Sequence, residues 1–189
     1  RFLTRTNHRV GRISYAGAEA ASEGVNPAVM REGVAIQMTW PGAPTVYYGD
    51  EAGLCGFTDP DNRRTYPWGR EDYQMIDFHR VMIRIHKQYE VLKTGSLAFL
   101  WNDYQGLAYA RFSRKEQMIV IVNNMDHARD VEVQLWQAGI SRLEDAKMER
   151  VVCTSAEGFT EAPEVYTAAA GILRMQMPAF GCVVLYHKN

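Results

Sequence analysis

The apolar positions of this chain follow a helical period in its first half and a period of two in its second half. Asn26 followed by Pro27 is typical of a helix N-terminus, and the apolar spacing after it predicts a helix to about Trp40. The clearest helix is predicted over residues 71–92, where apolar side chains recur at steps of three or four. These side chains are Met75, Phe78, Met82, Ile85, Tyr89 and Leu92. Gly95 is expected to end this helix.

The segment between the two predicted helices contains a short apolar run and a long loop. Residues 44–48 are β-branched and aromatic without alternation, which predicts a fully buried strand with Tyr47 in the core. Residues 49–69 predict a loop of about twenty residues, and a loop of that length in a compact domain is usually functional or disordered. Its dense turn chemistry favours a functional role.

The second half of the chain predicts short strands that are separated by turns such as Asn123-Asn124 and Glu157-Gly158. The predicted strands are residues 97–101, 107–112, 118–122, 131–135, 150–153, 172–177 and 182–186. This spacing indicates an antiparallel β-sandwich. The chain is therefore expected to consist of an α/β part over residues 1–95 and an all-β domain over residues 96–189.

Composition argues against several classes of function. The chain has 189 residues and a formal net charge of -1, from 21 basic and 22 acidic residues, so no nucleic-acid or anionic-membrane partner is expected. No apolar run approaches the roughly 18 residues of a membrane span. The three cysteines and five histidines lack metal-ligand spacing, so no metal site is predicted. The cysteine usage slightly favours a reducing, cytoplasmic compartment, and localisation is otherwise unknown.

The first residues are expected to continue an element that begins upstream. The chain starts with Arg1, and Phe2-Leu3 already fits an apolar pattern. We therefore interpret the chain as a C-terminal piece of a longer polypeptide. Residues 11–25, rich in Gly, Ala, Ser and Glu, predict a loop or a short helix.

Four segments resemble the α-amylase superfamily, glycoside hydrolase family 13, and within it the neopullulanase, cyclomaltodextrinase and maltogenic amylase branch. Residues 42–54, GAPTVYYGDEAGL, resemble the eighth barrel strand and the loop after it. Residues 59–64 with Trp68 resemble the sugar-contacting part of that loop. Residues 91–96 resemble the end of the eighth barrel helix, and residues 177–185 resemble the last strand of the C-terminal β-domain.

The resemblance implies the C-terminal portion of a TIM (β/α)8 barrel, namely its last helix–strand–helix unit, followed by an antiparallel β-sandwich domain. It implies part of a retaining glycoside hydrolase that acts on starch or maltodextrin. The family's catalytic carboxylates lie after earlier strands and are absent from this sequence, so the piece alone is expected to be inactive. The implied partners are an α-glucan oligosaccharide and either the remainder of the barrel or another copy of the chain. No cofactor is expected; calcium would concern the full-length enzyme, because the family's calcium ligands lie mostly upstream.

Asp59 and Arg63 are the strongest candidates for binding sugar. A carboxylate accepts hydrogen bonds from hydroxyls, a guanidinium donates to them, and such charge-assisted bonds contribute about 1.5–3 kcal/mol each. Their spacing of four lets both face one ligand, and the alternative is that Asp59 caps the turn and Arg63 pairs with it. In the family the matching Asp and Arg contact glucose at donor-side subsites.

Four further residues of this region have supporting roles. Tyr48 ends the predicted barrel strand, and the C-terminal ends of such strands face the active site. Trp68 either stacks on a sugar ring or packs against its own loop. Asp50 and Glu51 are expected to anchor the loop. They are not expected to form a catalytic pair, because adjacent side chains on an extended backbone point apart. No catalytic residue is predicted.

The alternative reading is a non-catalytic carbohydrate-binding or structural β-sandwich module. Trp101, Trp136 and Tyr104 of the β-domain could then form a sugar platform on its surface. Packing in the core or at a sheet edge is the other role open to these three side chains.

Overall fold

Two helical segments precede a β-rich half, as the apolar pattern predicts. The computed structural model describes residues 19–57 and 59–189, so the expectations for Phe2-Leu3 and for residues 11–18 lie outside the described residues. The α-helices are α1 (Pro27–Thr39), α2 (Tyr73–Gln88) and α3 (Glu90–Thr94). Short 3-10 turns cover Glu19–Ser22, Asp50–Ala52 and Trp136–Ala138. None of the helices in this part of the chain combines the length and the apolar character that crossing a bilayer requires.

The strands after Gly95 form one antiparallel sheet, which has nine strands among the described residues. They are β1 (Ser96–Asn102), β2 (Gly106–Phe112), β3 (Glu116–Asn123), β4 (Arg129–Gln134), β5 (Ala146–Thr154), β6 (Phe159–Thr160), β7 (Val165–Ala169), β8 (Ile172–Met177) and β9 (Gly181–Lys188). Their order is β1-β2-β3-β9-β5-β7-β8-β4, with β6 beside β5. The edge strands β1 and β4 approach each other, so the sheet folds around its own core. The predicted antiparallel all-β part is confirmed; the pattern did not predict β6 and β7.

Two apolar layers lie on opposite faces of the central strands. In β3, Ile119 and Ile121 belong to the cluster that the sheet encloses, which we call the sandwich core. Met118 and Val120 belong to a second cluster between the sheet and the helices, the helix-side core. A strand buried on both faces reads as a continuous apolar run, which explains the sequence MIVIV. The central strands therefore lie between the helix-side core and the sandwich core.

The helices start where side-chain caps are available. Asn26 accepts a hydrogen bond from the backbone N–H two residues on, and Asp72 accepts one from the N–H three residues on, both at 3.0 Å. The expectation of one continuous helix over residues 71–92 is wrong at Tyr89, whose φ of -96° and ψ of 119° separate α2 from α3. The Tyr89 ring packs against Tyr186 of β9, with ring centroids 4.6 Å apart. Tertiary packing outweighs the helical period at this position.

The expectation of a fully buried strand over residues 44–48 is wrong. The segment has no regular secondary structure, pairs with no strand of the described residues, and exposes Tyr47 and Tyr48. Val46 is partly buried against the helix-side core, and the side-chain amide of Gln37 donates to the carbonyl of Thr45. A parallel strand is buried on both faces only when neighbouring elements cover it. Here the described residues provide no such neighbours, so the run stays at the surface.

Arg111 of β2 joins the sheet to the ends of the helices. It is 2% exposed, and its guanidinium donates to the carbonyls of Thr39, Leu92 and Gly95 at 3.1, 2.9 and 2.8 Å. Thr39 ends α1, and Leu92 lies in α3. The last carbonyls of a helix lack partners inside the helix, and a cation near them is also favoured by the helix dipole. One side chain therefore ties both helices to the sheet.

α1 carries two adjacent buried charged residues. Arg31 is 4% exposed and donates to the carbonyls of Ser155 and Ala156, just after β5, at 2.9 and 3.2 Å. Glu32 is 3% exposed, and its Oε1 has no hydrogen-bond partner among the described residues. Burial raises the pKa of Glu32 to about 8. Its carboxyl group is therefore mostly protonated at neutral pH.

Replacement of Arg111 is expected to destabilise the fold strongly. Arg111→Met should lower the free energy of unfolding by about 3 kcal/mol or more, because it leaves buried carbonyls without a donor. Urea unfolding followed by circular dichroism measures the change. The control is Arg174→Met, whose side chain is 62% exposed and pairs with Glu132 at 2.9 Å. That variant should lose less than about 1 kcal/mol. Equal losses in the two variants would mean that Arg111 does not fasten the helices.

The free energy of unfolding is expected to fall as pH rises through the window set by Glu32. Between the ordinary pKa of 4.5 and the folded-state pKa of about 8, the unfolded chain loses this proton while the folded chain keeps it. Deprotonation then favours unfolding, with a slope of at most about 1.4 kcal/mol per pH unit from this group. Glu32→Gln cannot titrate, so its stability relative to the original chain should increase steadily across the window. Urea titrations at a series of pH values test this, and a constant difference would contradict it.

Candidate functional site

The loop over residues 49–69 begins with a turn that requires glycine. Gly49 has a φ of +92°, and a Cβ there would lie 2.7 Å from Cδ2 of Leu54. The N–H of Leu54 donates back to the Gly49 carbonyl at 2.9 Å. Glu51 accepts a hydrogen bond from the Gly49 N–H through Oε2 at 2.8 Å. Its carboxylate therefore holds the first turn of the loop.

Asp72 fastens the beginning of the loop to α2, and Asp50 lies nearby. Both residues line a cavity of about 200 Å³. The N–H of Asp72 donates to the carbonyl of Ala52 at 3.0 Å, while the Asp72 carboxylate caps α2. Burial raises the pKa of Asp50, with His79 opposing the change and Glu51 adding to it. Asp50 is thus a half-buried group behind the loop.

Asp59 and Arg63 face each other on the outside of the loop. Nε of Arg63 lies 3.0 Å from Oδ1 of Asp59, and Nη2 lies 3.2 Å from Oδ2, which makes a two-pronged pair. The N–H of Arg63 also donates to the Pro60 carbonyl at 3.1 Å and closes the turn. The two side chains are 65% and 62% exposed. Because both side chains are mostly exposed, both groups are accessible to a ligand. An exposed ion pair of this kind contributes little to the stability of the fold.

Two tyrosines lie beside this pair. The ring centroids of Tyr47 and Tyr48 are 4.9 Å apart, and the residues are 46% and 44% exposed. The expectation that Tyr47 lies in the core is therefore wrong. The pKa of Tyr47 is raised, first by partial desolvation and then by Tyr48, while Arg63 acts to lower it. The hydroxyl of Tyr48 donates to the carbonyl of Arg64 at 2.8 Å and so joins the residue before the loop to the second half of the loop.

Trp68 lies near the end of the loop and is 76% exposed. Its ring packs against Tyr66, with centroids 4.5 Å apart. Arg64 donates from Nη1 to the carbonyl of Cys55 at 2.7 Å, which fixes the middle of the loop. Trp68 thus packs against its own loop and still presents most of its surface to solvent.

The arrangement suits binding better than bond cleavage. Hydrolysis with retention needs two carboxyl groups about 5–5.5 Å apart on either side of the bond. Asp59 is paired with Arg63, Glu51 is engaged by Gly49, and Asp50 is half-buried. In residues 19–57 and 59–189, no cluster of three or more His, Cys, Asp or Glu side chains could hold a metal ion. The pair of Asp59 and Arg63 can instead bind sugar hydroxyls, and the exposed aromatic rings of the region offer a surface for stacking.

The two tryptophans of the β-domain have partly covered rings. The guanidinium of Arg129 lies 4.6 Å from the ring centroid of Trp101, and that of Arg142 lies 3.9 Å from the Trp136 ring. Tyr104 is 98% exposed. One face of each tryptophan is therefore occupied by a cation, which disfavours a sugar platform built from these residues.

Comparison with known proteins bears out the resemblance seen in the sequence. No protein-family model matches the chain. Over 108 residues the chain is 39% identical to an amylopullulanase from Thermoanaerobacter thermohydrosulfuricus, a match that covers 52% of this chain and 7% of that protein. Over 120 residues it is 33% identical to neopullulanase 2 from Thermoactinomyces vulgaris, which covers 61% of this chain and 20% of that protein.

A solved structure supports the same conclusion for the fold. The debranching enzyme from Nostoc punctiforme superposes with a TM-score of 0.63 and 26% identity, over 84% of this chain and 31% of that one. Cyclomaltodextrinases and a maltogenic alpha-amylase are also similar in sequence. The resemblance to the α-amylase superfamily, nearest its neopullulanase and cyclomaltodextrinase branch, is confirmed. The matched region spans a fifth or less of the two relatives described above.

Proposed function

We propose that this chain is the C-terminal portion of a retaining glycoside hydrolase that acts on α-glucans such as starch or maltodextrin. In the intact enzyme it would contribute donor-side sugar subsites through Asp59 and Arg63, together with a stabilising β-domain. The catalytic carboxylates would come from the earlier barrel strands. Similarity to an amylopullulanase and a neopullulanase supports this proposal.

The exposed pair of Asp59 and Arg63 is the observation that carries the proposal. A guanidinium has five N–H donors, of which this contact uses two, and the carboxylate oxygens have further lone pairs. A sugar hydroxyl can therefore donate to Asp59 and accept from Arg63 while the pair stays intact. Because the side chains are already held in place, less conformational freedom is lost when the ligand binds.

Tyr48 and Trp68 complete the proposed site. Each offers a flat ring that can pack against the C–H face of a pyranose. Tyr48 is held by its hydrogen bond to the Arg64 carbonyl, and Trp68 is held by the Tyr66 ring. Rigid aromatic side chains give a large contact area at a low cost in conformational entropy.

Residues 27–94 are proposed to be the last helix–strand–helix unit of the barrel. The backbone of residues 44–48 pairs with no strand in the described part of the chain, and its tyrosines are exposed. Adjacent barrel strands would supply the missing hydrogen bonds and cover the apolar side chains. The proposed partner is therefore the remainder of the barrel, and self-association through the same surface is the alternative.

Asp59→Ala and Arg63→Ala are each expected to weaken the binding of maltoheptaose about tenfold or more, because each removes charge-assisted hydrogen bonds. Isothermal titration calorimetry on the purified chain measures the affinity. Asp77→Ala and Arg80→Ala are matched controls, because this pair on α2 is equally exposed and its charged groups lie 2.8 Å apart. The controls should bind as the original chain does.

The alternative function is a carbohydrate-binding module in the β-domain. If it is right, both loop variants should bind with full affinity, and changing Trp101 or Tyr104 to alanine should abolish binding. The covered faces of Trp101 and Trp136 give it less support.

The purified chain by itself is expected to release no reducing sugar from starch or pullulan and to self-associate. The first expectation follows from the lack of a catalytic carboxyl pair, and the second follows from the uncovered surface at residues 44–48. A reducing-sugar assay and multi-angle light scattering measure the two properties. Turnover would contradict the assignment of the active site to the missing part, and a stable monomer would contradict the partner proposal.

A further inference from the structure

A second cleft lies between α1 and the turn that joins β1 to β2. Its volume is about 310 Å³, at the lower end of the range of roughly 300–1,000 Å³ for small-molecule sites. Its apolar walls come from Val29 and Ile36 of α1, Leu107 of β2 and Val122 of β3. None of its lining residues belongs to the loop over residues 49–69, so it is separate from the site described above.

Glu32 lines this cleft and is 97% buried, as its exposure of 3% shows. Its Oε1 has no hydrogen-bond partner among the described residues. A buried polar atom without a partner costs about 1–3 kcal/mol, so native folds usually supply one from protein, water or ligand. Oε1 itself is closed to solvent, so a molecule in the cleft meets this carboxyl after the Glu32 side chain turns toward it.

Gly33 leaves the cleft open next to Glu32. A Cβ on Gly33 would meet no atom within 4 Å, so packing does not require glycine at this position. Glycine inside a helix costs roughly 0.5–1 kcal/mol relative to alanine. Gly33 lines the cleft, and the lack of a side chain at this position adds to its open volume.

The opposite wall of the cleft is held in a fixed shape. Asp103 accepts a hydrogen bond from the N–H of Gln105 at 2.9 Å, and the N–H of Asn124 donates to the Gln105 carbonyl at 2.8 Å. Gln105 and Asn124 line this wall, and the 98% exposed Tyr104 lines it too. Amide and phenol groups both donate and accept hydrogen bonds.

We propose that this cleft binds a small neutral polyhydroxylated molecule, such as one pyranose unit, with Glu32 as its buried hydrogen-bonding group. A protonated carboxyl, two amides and a phenol match hydroxyl groups, and the four apolar side chains match C–H groups. A cationic ligand fits less well, because burial raises the pKa of Glu32 to about 8 and the other carboxylate of the lining, Asp103, is already paired with Arg129 at 2.8 Å. The pyranose could be a free monosaccharide or the end of a glucan chain.

The test is a titration of the chain followed by amide ¹H–¹⁵N spectra, with Asp59→Ala and Arg63→Ala introduced together to silence the loop. D-glucose and maltotriose are the probes. Saturable shifts are expected at Gly33, Gln105 and Asn124, whatever the fate of the proposed function of the loop. Saturation by glucose indicates a free monosaccharide, and saturation by maltotriose alone indicates a chain end; both results support the proposal.

Variants at Gly33 and Glu32 make the test specific. Gly33→Leu should weaken binding about tenfold or more, because a long helical side chain folds back over the preceding turn, where Val29 lies. Gly33→Ala is the matched control and should retain binding. Glu32→Leu should weaken binding without leaving an unpaired polar group. Equal affinity of the two Gly33 variants, or the absence of saturable shifts with both sugars, would overturn the proposal; saturable shifts with ethylammonium alone would assign the cleft to a cation instead.

Discussion

The buried guanidinium of Arg111 is the contact on which the arrangement of helices and sheet depends. It reaches the carbonyls that α1 and α3 leave without internal partners, so two helix ends are fixed by one side chain of β2. The hydroxyls of Thr39 and Tyr109 share a hydrogen bond beside it, and the Trp40 ring packs edge-on against Tyr109 at 5.2 Å. The segment that leads to the candidate sugar site starts at this junction. The starting point of that segment is therefore fixed by a side chain of the β-domain.

Local chemistry was enough to predict most of the elements. The cap of α1 by Asn26 depends on three consecutive residues, so the local sequence predicts it. The central strands are apolar throughout because apolar layers cover both of their faces. β7 escapes prediction because VYTAA is short and its outward positions Val165 and Ala169 are apolar too, so its residue types do not alternate although its burial does. The break at Tyr89 depends on Tyr186, nearly one hundred residues away, and a periodicity in the local sequence cannot contain that information.

The site shows the same division between local and distant causes. Asp59 and Arg63 meet because a tight turn separates residues four apart, and that spacing is visible in the sequence. The surface position of Tyr47 depends on which elements cover residues 44–48, so an apolar run alone predicts burial. No feature of the local sequence predicts that Glu32 is buried, because its exposure is decided by β-strands that come much later in the chain. Only the folded arrangement brings that carboxyl next to the β1–β2 turn.

The position of β9 has a consequence for how the molecule is made. β9 lies between β3 and β5, yet among the described residues it follows the other eight strands in sequence. Until a ribosome has released residues 181–188, the emerging chain holds two half-sheets with unpaired inner edges, and α1 has no complete surface to pack on. The packing of α1 on the sheet is therefore complete only after β9 is inserted, and until then β3 and β5 present unpaired strand edges.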